Sequence, residues 1–242
     1  MTWRTVALIP ARAGSQRLPG KNTRLLQNHP VIAYTIRAAF DSGVFDEVFV
    51  SSEDPRTLRI AHDYGAKPLA RDEALSRSAT PDIAWVRSAL NQLAPMPHIF
   101  GILRPTSPCR TAETIRKAAG ILHYPDATCD SVRAVRKVTE HPGKMWTWRG
   151  PGYAMSSLIE YPPLNGVPAH SSPTQGLPPV YVQTGACELA WTSNVTAHGT
   201  IAGRKIAPLV TEGPDAWDLN TQDDWDHLLA AVHANPSLLP CL

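Results

Sequence analysis

The sequence of 242 residues has little net charge and few charged residues. Its 23 lysines and arginines against 21 aspartates and glutamates leave a formal charge of +2, and charged residues make up only 18%. This near balance excludes a strongly basic nucleic-acid-binding surface and an acidic solvated tail. No run of 18 apolar residues occurs, and no basic segment followed by an apolar one opens the chain. We therefore expect a cytoplasmic protein that binds neither nucleic acid nor membrane.

Cysteine is scarce as well, and its spacing carries no metal or redox motif. None of the four cysteines forms a CxxC pair, which excludes a zinc knuckle and a thioredoxin-like site. Proline is instead in excess, with 23 residues, about twice the usual share. With 43% hydrophobic residues, the composition indicates a globular protein with long proline-bounded loops. The length predicts one large domain or one domain with a sizeable insertion.

Short apolar β-type runs alternate with helical patterns along the first 140 residues. The predicted strands are Thr5–Pro10, Asp46–Ser51, Ala66–Ala70, His98–Leu103 and Asp130–Val138. The predicted helices are Val31–Phe40, Pro55–Tyr64, Pro81–Leu93 with Thr80 as N-cap, and Thr111–Leu122 capped by Thr111. This alternation predicts a parallel sheet with right-handed crossovers, whose ligands lie at the carboxyl ends of the strands.

The stretch 141–180 interrupts this alternation. It contains eight prolines and no regular hydrophobic period, so it is predicted to be an inserted arm rather than part of the sheet. A strand pair within Val180–Trp191 and a closing helix at Thr221–His233 are predicted to return the chain to the main domain. The expected organisation is therefore one domain formed by residues 1–140 and 181–242, with the arm inserted between them.

The loop after the first predicted strand, Pro10–Asn22, is the most informative segment. It carries Arg12, Arg17 and Lys21 together with small residues that allow close backbone approach. Cations and backbone amides at the end of a parallel strand suit a polyphosphate. The loop matches neither the P-loop motif nor G-x-G-x-x-G. On chemistry alone, a basic surface loop remains the alternative interpretation.

The order of residues in this loop, P-A-R-x-G-S-x-x-x-P-x-K-N, resembles the acylneuraminate (sialic acid) cytidylyltransferase family. Five further segments resemble that family in the same order: 30–36, 50–54, 64–66 with Arg71, 105–110 and 218–225. The resemblance spans residues 8–225 and is specific because six motifs keep their order. It implies an α/β fold with a Rossmann-like, mostly parallel sheet and flanking helices, as in nucleotide-diphospho-sugar transferases.

The resemblance also implies an activity, the transfer of CMP from CTP to an acidic acceptor with release of pyrophosphate. Arg12 and Lys21 would bind the phosphates, and Asp218, with Asn220 in its shell, would hold Mg²⁺. The remaining residues implied to bind CTP are Ala11, Ala13, Gly14, Ser15, Asn22, Arg71 and Thr80. Two alternatives stay open, because Arg71 could be a surface charge and Asp218 could cap the closing helix.

Several departures from the family pattern concern the acceptor and the metal. Asn220 stands where the family has a second aspartate, which predicts a weaker or differently completed metal shell. Arg104 replaces a usual glutamine and could bind a carboxylate, phosphate or phosphonate. Lys144, Gln175 and Tyr181 are candidate acceptor contacts in or next to the arm, although Lys144 could equally lie in solvent.

The acceptor is therefore expected to be either a nonulosonic (sialic-type) sugar acid or a smaller, more highly charged acid such as a phosphonate. A catalytically impaired nucleotide-binding module and a guanylyltransferase are the alternatives. The family further implies a homodimer whose arm reaches the partner's acceptor site. Six cations are expected to converge on the anionic site: Arg12, Arg17, Lys21, Arg71, Arg104 and Arg110.

Overall fold

The computed structural model describes residues 3–124 and 128–242. Within them, the chain forms two compact units, one from Met1–Ala134 with Thr184–Leu242 and one from Val135–Gln183. The first unit contains the main part of a seven-stranded sheet. Its strands are β1 (Thr5–Pro10), β2 (Glu47–Ser52), β3 (Lys67–Ala70), β4 (Ile99–Ile102), β5 (Ser131–Lys137), β6 (Tyr181–Trp191) and β7 (Ile206–Val210).

The strand order is β7-β5-β6-β4-β1-β2-β3. The pairs β1–β2, β1–β4 and β2–β3 are parallel, and β6 runs antiparallel to β4. Strand β1 occupies a central position, where Leu8 pairs with Phe49 on one side and Ile102 on the other. Its continuous apolar sequence fits this place, because a central parallel strand is covered on both faces. The Rossmann-like, mostly parallel α/β fold expected from the sequence is confirmed.

The described residues contain six α-helices. They are α1 (Val31–Ser42), α2 (Pro55–Asp63), α3 (Asp82–Asn91), α4 (Ala112–Leu122), α5 (Ser193–His198) and α6 (Gln222–Ala234). Helices α1, α2 and α4 contribute Ile36, Ala61 and Ile115 to the core on one face of the sheet. Helices α3 and α5 contribute Trp85 and Val195 to the core on the other face. The first unit is thus a three-layer arrangement, which leaves the strand ends open for a site.

Local signals explain where several helices begin and end. Asp54 caps α2 by accepting hydrogen bonds from the amides of Arg56 and Thr57, with Pro55 in the first helical position, as predicted. Gly43 ends α1 in the left-handed conformation, with φ of 63°. Thr221 and Asp224 form a reciprocal capping box at the start of α6. The predicted helices are confirmed, with ends displaced by one to a few residues.

Two predictions about local structure are wrong. Thr80 does not cap α3, because Pro81 occupies the N-cap position and the Thr80 hydroxyl donates to the carbonyl of Ala74. The stretch Val180–Trp191 is not a strand pair but contains the single eleven-residue strand β6. Strand β7 and helix α5 were not expected, because both are short and carry weak hydrophobic periodicity.

The second unit, Val135–Gln183, contains little regular structure. A two-residue ladder pairs Trp146–Thr147 with Ser156–Ser157, and apart from the ends of β5 and β6 the other elements are single 3-10 turns. The His141 ring lies between the amide of Gly143 and the carbonyl of Pro178, which closes the unit on itself. A Cβ atom on Gly143 would come within 3.0 Å of His141 Nδ1, so only glycine packs there without a shift. The proline-rich segment 141–180 lies inside this unit.

No helix in the described ranges is long and apolar enough to cross a membrane.

Candidate functional site

A pocket of about 360 Å³ opens at the carboxyl ends of β1 and β4, beside the segment that follows β3. The loop after β1 contributes Arg12, Ser15, Lys21 and Asn22 to its wall. Arg71 and Thr80 come from the segment after β3, Arg104 follows β4, and Asp218 and Asn220 precede α6. The fold therefore brings together nine of the predicted site residues, although they come from distant parts of the sequence. Arg77, Asp82 and Trp85 also line the pocket and were not singled out from the sequence.

The loop after β1 is held by its own backbone and by the neighbouring strand β2. Ala11 is fully buried, its amide donates to the carbonyl of Ser51, and its carbonyl accepts from the Ser52 hydroxyl. The Asn22 side chain donates to the carbonyl of Arg12 at 3.1 Å. Asn22 thus shapes the loop in addition to lining the pocket. These contacts fix the direction in which Arg12 leaves the sheet.

The amide of Ala13, expected to cradle phosphate, already has a partner. It donates to Oε1 of Glu53 at 2.8 Å, while Gly14 next to it is exposed. The second oxygen of Glu53 is buried and has no hydrogen-bond partner in the described part of the chain. A phosphate could bind the Ala13 amide only if Glu53 released it.

Arg71 is only 8% exposed, which excludes the alternative that it is a surface charge. Its Nε donates to the hydroxyl of Ser51 at 3.1 Å and its Nη2 to the Ser51 carbonyl at 3.2 Å. The guanidinium also stacks on the Trp85 ring, 4.5 Å from its centre. Burial lowers the pKa of Arg71 to about 10, and nearby Glu53 and Asp82 partly oppose this. The group remains a cation at neutral pH and is held rigidly at the pocket wall.

Lys21 lies next to Asp218 in the pocket. Its ammonium donates to the carbonyl of Leu219 at 3.1 Å. Burial lowers the pKa of Lys21, the carboxylate of Asp218 raises it, and the cations Arg17 and Arg12 lower it further, so that the net direction is down. The protonated form of Lys21 is therefore less stable than in water, and binding of a phosphate would stabilise it.

Asp218 does not cap the closing helix, because Thr221 does so. Its Oδ2 accepts from the side-chain amide of Asn220 at 2.8 Å. Its Oδ1 is buried and has no hydrogen-bond partner among the described residues. An unpartnered carboxylate oxygen in a pocket fits a hard divalent cation such as Mg²⁺.

Asn220 is less available as a metal ligand than the sequence indicated. Its carbonyl oxygen accepts from Nη2 of Arg17 at 2.9 Å, and its amide nitrogen is used by Asp218. Residues 3–124 and 128–242 contain no group of three or more His, Cys, Asp or Glu side chains arranged for a metal. The remaining ligands of a cation at Asp218 would therefore be phosphate and water oxygens.

Arg104 is clamped between two carboxylates. Its Nη2 donates to Asp82 Oδ2 at 2.6 Å, while Nε and Nη2 both donate to Glu188 Oε1, at 3.2 and 3.0 Å. Burial lowers the pKa of Arg104, but Glu188 and Asp82 outweigh that effect, so its pKa is raised. Glu188 also forms an ion pair with Arg133 at 3.2 Å. One sequence signal could have found Glu188, since it is a lone charge within the apolar run of β6.

Arg110 does not converge on the pocket, contrary to the prediction. It is fully buried and donates to the carbonyls of Ala186, Arg104 and Gly185. Burial lowers its pKa to about 10. Arg110 therefore holds the turn after β4 against β6. Arg17 borders the pocket through its bond to Asn220.

The remaining predicted contacts, Lys144, Gln175 and Tyr181, belong to the second unit, where each side chain is exposed. Their role in acceptor binding stays a prediction.

Comparison with known proteins gives consistent matches. Residues 6–142 match the family model described as Cytidylyltransferase. The chain is 32% identical to the CMP-N,N'-diacetyllegionaminic acid synthase of Legionella pneumophila over 227 residues, which cover 92% of this chain and 93% of that protein. It is also 36% identical to the pseudaminic acid cytidylyltransferase of Campylobacter jejuni over 119 residues, 48% of this chain and 51% of that one.

Solved structures show the same fold at much lower identity. CMP:2-keto-3-deoxy-manno-octonic acid synthetase complexed with CTP matches with a TM-score of 0.68 and 14% identity, covering 96% of this chain and 99% of that one. The 4-diphosphocytidyl-2C-methyl-D-erythritol synthase from Anaerococcus prevotii matches with a TM-score of 0.65 and 13% identity, covering 96% and 99%.

Proposed function

Because the chain belongs to the cytidylyltransferase family and is a CTP-dependent nucleotidyltransferase, we propose that its pocket transfers CMP from CTP to an anionic acceptor and releases pyrophosphate. The observation that carries the proposal is the pocket itself. Its wall holds five cations and two carboxylates: Arg12, Lys21, Arg71, Arg77 and Arg104 against Asp82 and Asp218. This excess of positive charge suits a triphosphate.

In the proposed reaction, an oxygen of the acceptor forms a bond to the α-phosphorus while the bond from that phosphorus to the bridging oxygen of the β-phosphate breaks. Negative charge accumulates on the phosphate oxygens and on the leaving pyrophosphate. Arg12 and Lys21 lie on the loop where these groups would be placed, and fixed cations at such positions stabilise the charge as it develops. Lys21 contributes most when it is protonated, so its lowered pKa matters for activity at alkaline pH.

We propose that Asp218 holds Mg²⁺ through Oδ1, with Asn220 and Arg17 orienting the carboxylate through the chain of hydrogen bonds described above. When bound, the cation would supply charge neutralisation at the phosphates. Asn220 then acts on the orientation of Asp218 rather than as a ligand.

The acceptor is proposed to be a nonulosonic (sialic-type) sugar acid or a smaller phosphonate. The names of the relatives, which include acids of the legionaminic and pseudaminic type, support the first. Arg104 supports the second, because its planar guanidinium suits a compact, highly charged group. Lys144, Gln175 and Tyr181 are proposed as further acceptor contacts.

We also propose that the second unit pairs two copies of the chain. Its exposed apolar side chains are unusually many for one short segment, and include Trp146, Trp148, Tyr153, Met155, Leu158 and Ile159. Light scattering after size-exclusion chromatography would give twice the chain mass. A monomer at micromolar concentration would contradict the proposal.

The decisive experiment measures pyrophosphate release from CTP with Mg²⁺ across N-acetylneuraminate, legionaminate, pseudaminate and phosphonoformate. We expect release with at least one acid, loss of release in R12A, and little release with GTP. CTP binding by calorimetry without turnover on any acid would instead support a nucleotide-binding module. Turnover with phosphonoformate and not with the sugar acids would decide the acceptor class.

A further inference from the structure

The two carboxylates that clamp Arg104 differ in how firmly they are held. Glu188 lies on strand β6 with a side chain only 6% exposed, whereas the Asp82 side chain is 37% exposed. Asp82 lines the pocket and Glu188 does not. The clamp therefore has one buried, fixed side and one side that a ligand can reach.

Glu188 is fixed by contacts on both of its oxygens. Oε1 accepts two bonds from Arg104, and Oε2 forms an ion pair with Arg133. Removing its charge would leave Arg104 with a single charged partner and would hold the guanidinium less firmly in its present direction. A fixed guanidinium binds an anion better than a mobile one, because its conformational entropy is already lost.

Asp82 is able to leave Arg104 without becoming unpaired. Its Oδ1 accepts from the indole N–H of Trp85 at 2.7 Å. It is the first residue of α3, where the helix dipole favours a negative charge. Burial raises the pKa of Asp82, but Arg104, the hydrogen bond from Trp85 and the charge of Arg71 together lower it, so that the net direction is down. These partners would remain if Arg104 turned to another anion.

Arg104 still has donors to offer. Its Nη1 makes no hydrogen bond within the described part of the chain, and Arg104 lines the pocket. An anionic group that took Nη1 together with the Nη2 hydrogen now used by Asp82 would gain a bidentate contact.

We propose that the anionic group of the acceptor displaces Asp82 from Arg104, while Glu188 stays in place as the positioning residue that aims the guanidinium. The inference rests on the proposed function and adds two specificity-determining residues to it. Asp82 lowers the affinity for every acceptor and rejects uncharged analogues, since a neutral alcohol or ester cannot replace a carboxylate on Arg104. Asp82 and Glu188 therefore act on acceptor affinity in opposite directions.

The test compares D82N with E188Q, using N-acetylneuraminate and phosphonoformate as probes. Acceptor affinity is measured by calorimetry, and KM and kcat by pyrophosphate release. We expect D82N to tighten acceptor binding and lower the acceptor KM by about threefold to tenfold. We expect E188Q to weaken acceptor binding and raise the acceptor KM by about tenfold or more. The KM for CTP should change less than the acceptor KM in either variant, whereas a general structural defect would raise both.

Matched controls are available on the surface of the same unit. D41N and E113Q remove carboxylates from the exposed pairs with Arg37 and Arg116 and should leave acceptor affinity unchanged. E188D retains the charge and should weaken binding less than E188Q, which keeps the test usable if E188Q folds poorly. Shifts of the same sign in D82N and E188Q, or no binding of either probe to the unaltered protein, would overturn the inference. Binding of a probe without pyrophosphate release would contradict the proposed function, while opposite shifts in affinity would still support the clamp.

Discussion

Replacing Asn220 by aspartate tests how the site holds a cation. Asn220 donates to Asp218 at 2.8 Å, and in N220D this donor becomes a second carboxylate beside the first. Two like charges at 4 Å cost about 4 kcal/mol at an effective dielectric of 20. The neighbouring Arg17, which contacts the same side chain, offsets part of this repulsion. We expect the metal-free variant to lose about 1–3 kcal/mol of unfolding free energy.

A divalent cation should reverse this loss, because it pairs with both carboxylates. Mg²⁺ at a hundred times its dissociation constant stabilises a folded protein by about 2.7 kcal/mol. For a chain of this size, each kcal/mol corresponds to about 2–4 °C in Tm. N220D should therefore melt several degrees lower than the unaltered protein without Mg²⁺, and should gain more from added Mg²⁺.

Thermal unfolding with and without Mg²⁺, together with the Mg²⁺ dependence of pyrophosphate release, provides the measurement. N91D places the same charge on an exposed position at the end of α3 and serves as the control. The reasoning is refuted if N220D melts like the control and needs as much Mg²⁺ for activity as the unaltered protein. That result would place the cation elsewhere and leave the buried Oδ1 of Asp218 without an explanation.

Lys21 and Asp54 both have lowered pKa values, and each should show an effect that depends on pH. Lys21 loses its proton at a lower pH than a lysine with the usual pKa of about 10.4. The KM for CTP should therefore begin to rise before the pH reaches that value, and K21R should remove the rise. An unchanged alkaline profile in K21R would contradict the role of Lys21. The pKa of Asp54 is lowered chiefly because the Thr57 hydroxyl donates to it. Burial raises this pKa, and the amides of Arg56 and Thr57 lower it further. Its capping contribution, about 1 kcal/mol, is therefore complete above the unfolded pKa of about 3.9 and is lost as the pH falls through the lower folded value. Urea unfolding of D54A should show a constant deficit from about pH 7 to 5 that narrows below about pH 4; a deficit that grows on acidification would refute the assignment.

Much of the fold could be predicted because its signals are local. The apolar run of β1, the capping residues Asp54 and Thr221, and Gly43 at the end of α1 all act within a few residues of the elements they define. The errors arose where local signals compete. Thr80 is a good N-cap by composition, but Pro81 takes the cap position and Thr80 instead bonds to Ala74.

The site was predictable to the extent that it lies in contiguous motifs. The cations Arg12 and Lys21 stand on one loop, and the strand before it dictates that they meet the end of the sheet. Arg110 shows the limit of such reasoning, since a positive charge beside a motif gives no information about which way the side chain points. Only packing shows that it turns into the protein and bonds to three carbonyls.

The sequence alone determined which charged groups are present and which elements carry them. These are a basic loop after a central strand, an acidic residue before the closing helix, and an arginine at the turn after β4. The tertiary structure decided which of these charged groups pair with one another, because pairing depends on distances between residues far apart in the chain. Asp82 and Glu188 are 22 and 84 positions from Arg104, yet both contact its guanidinium. Likewise, only the folded chain shows that the Asn220 side chain is paired at both ends, because its amide nitrogen donates to Asp218 and its carbonyl oxygen accepts from Arg17.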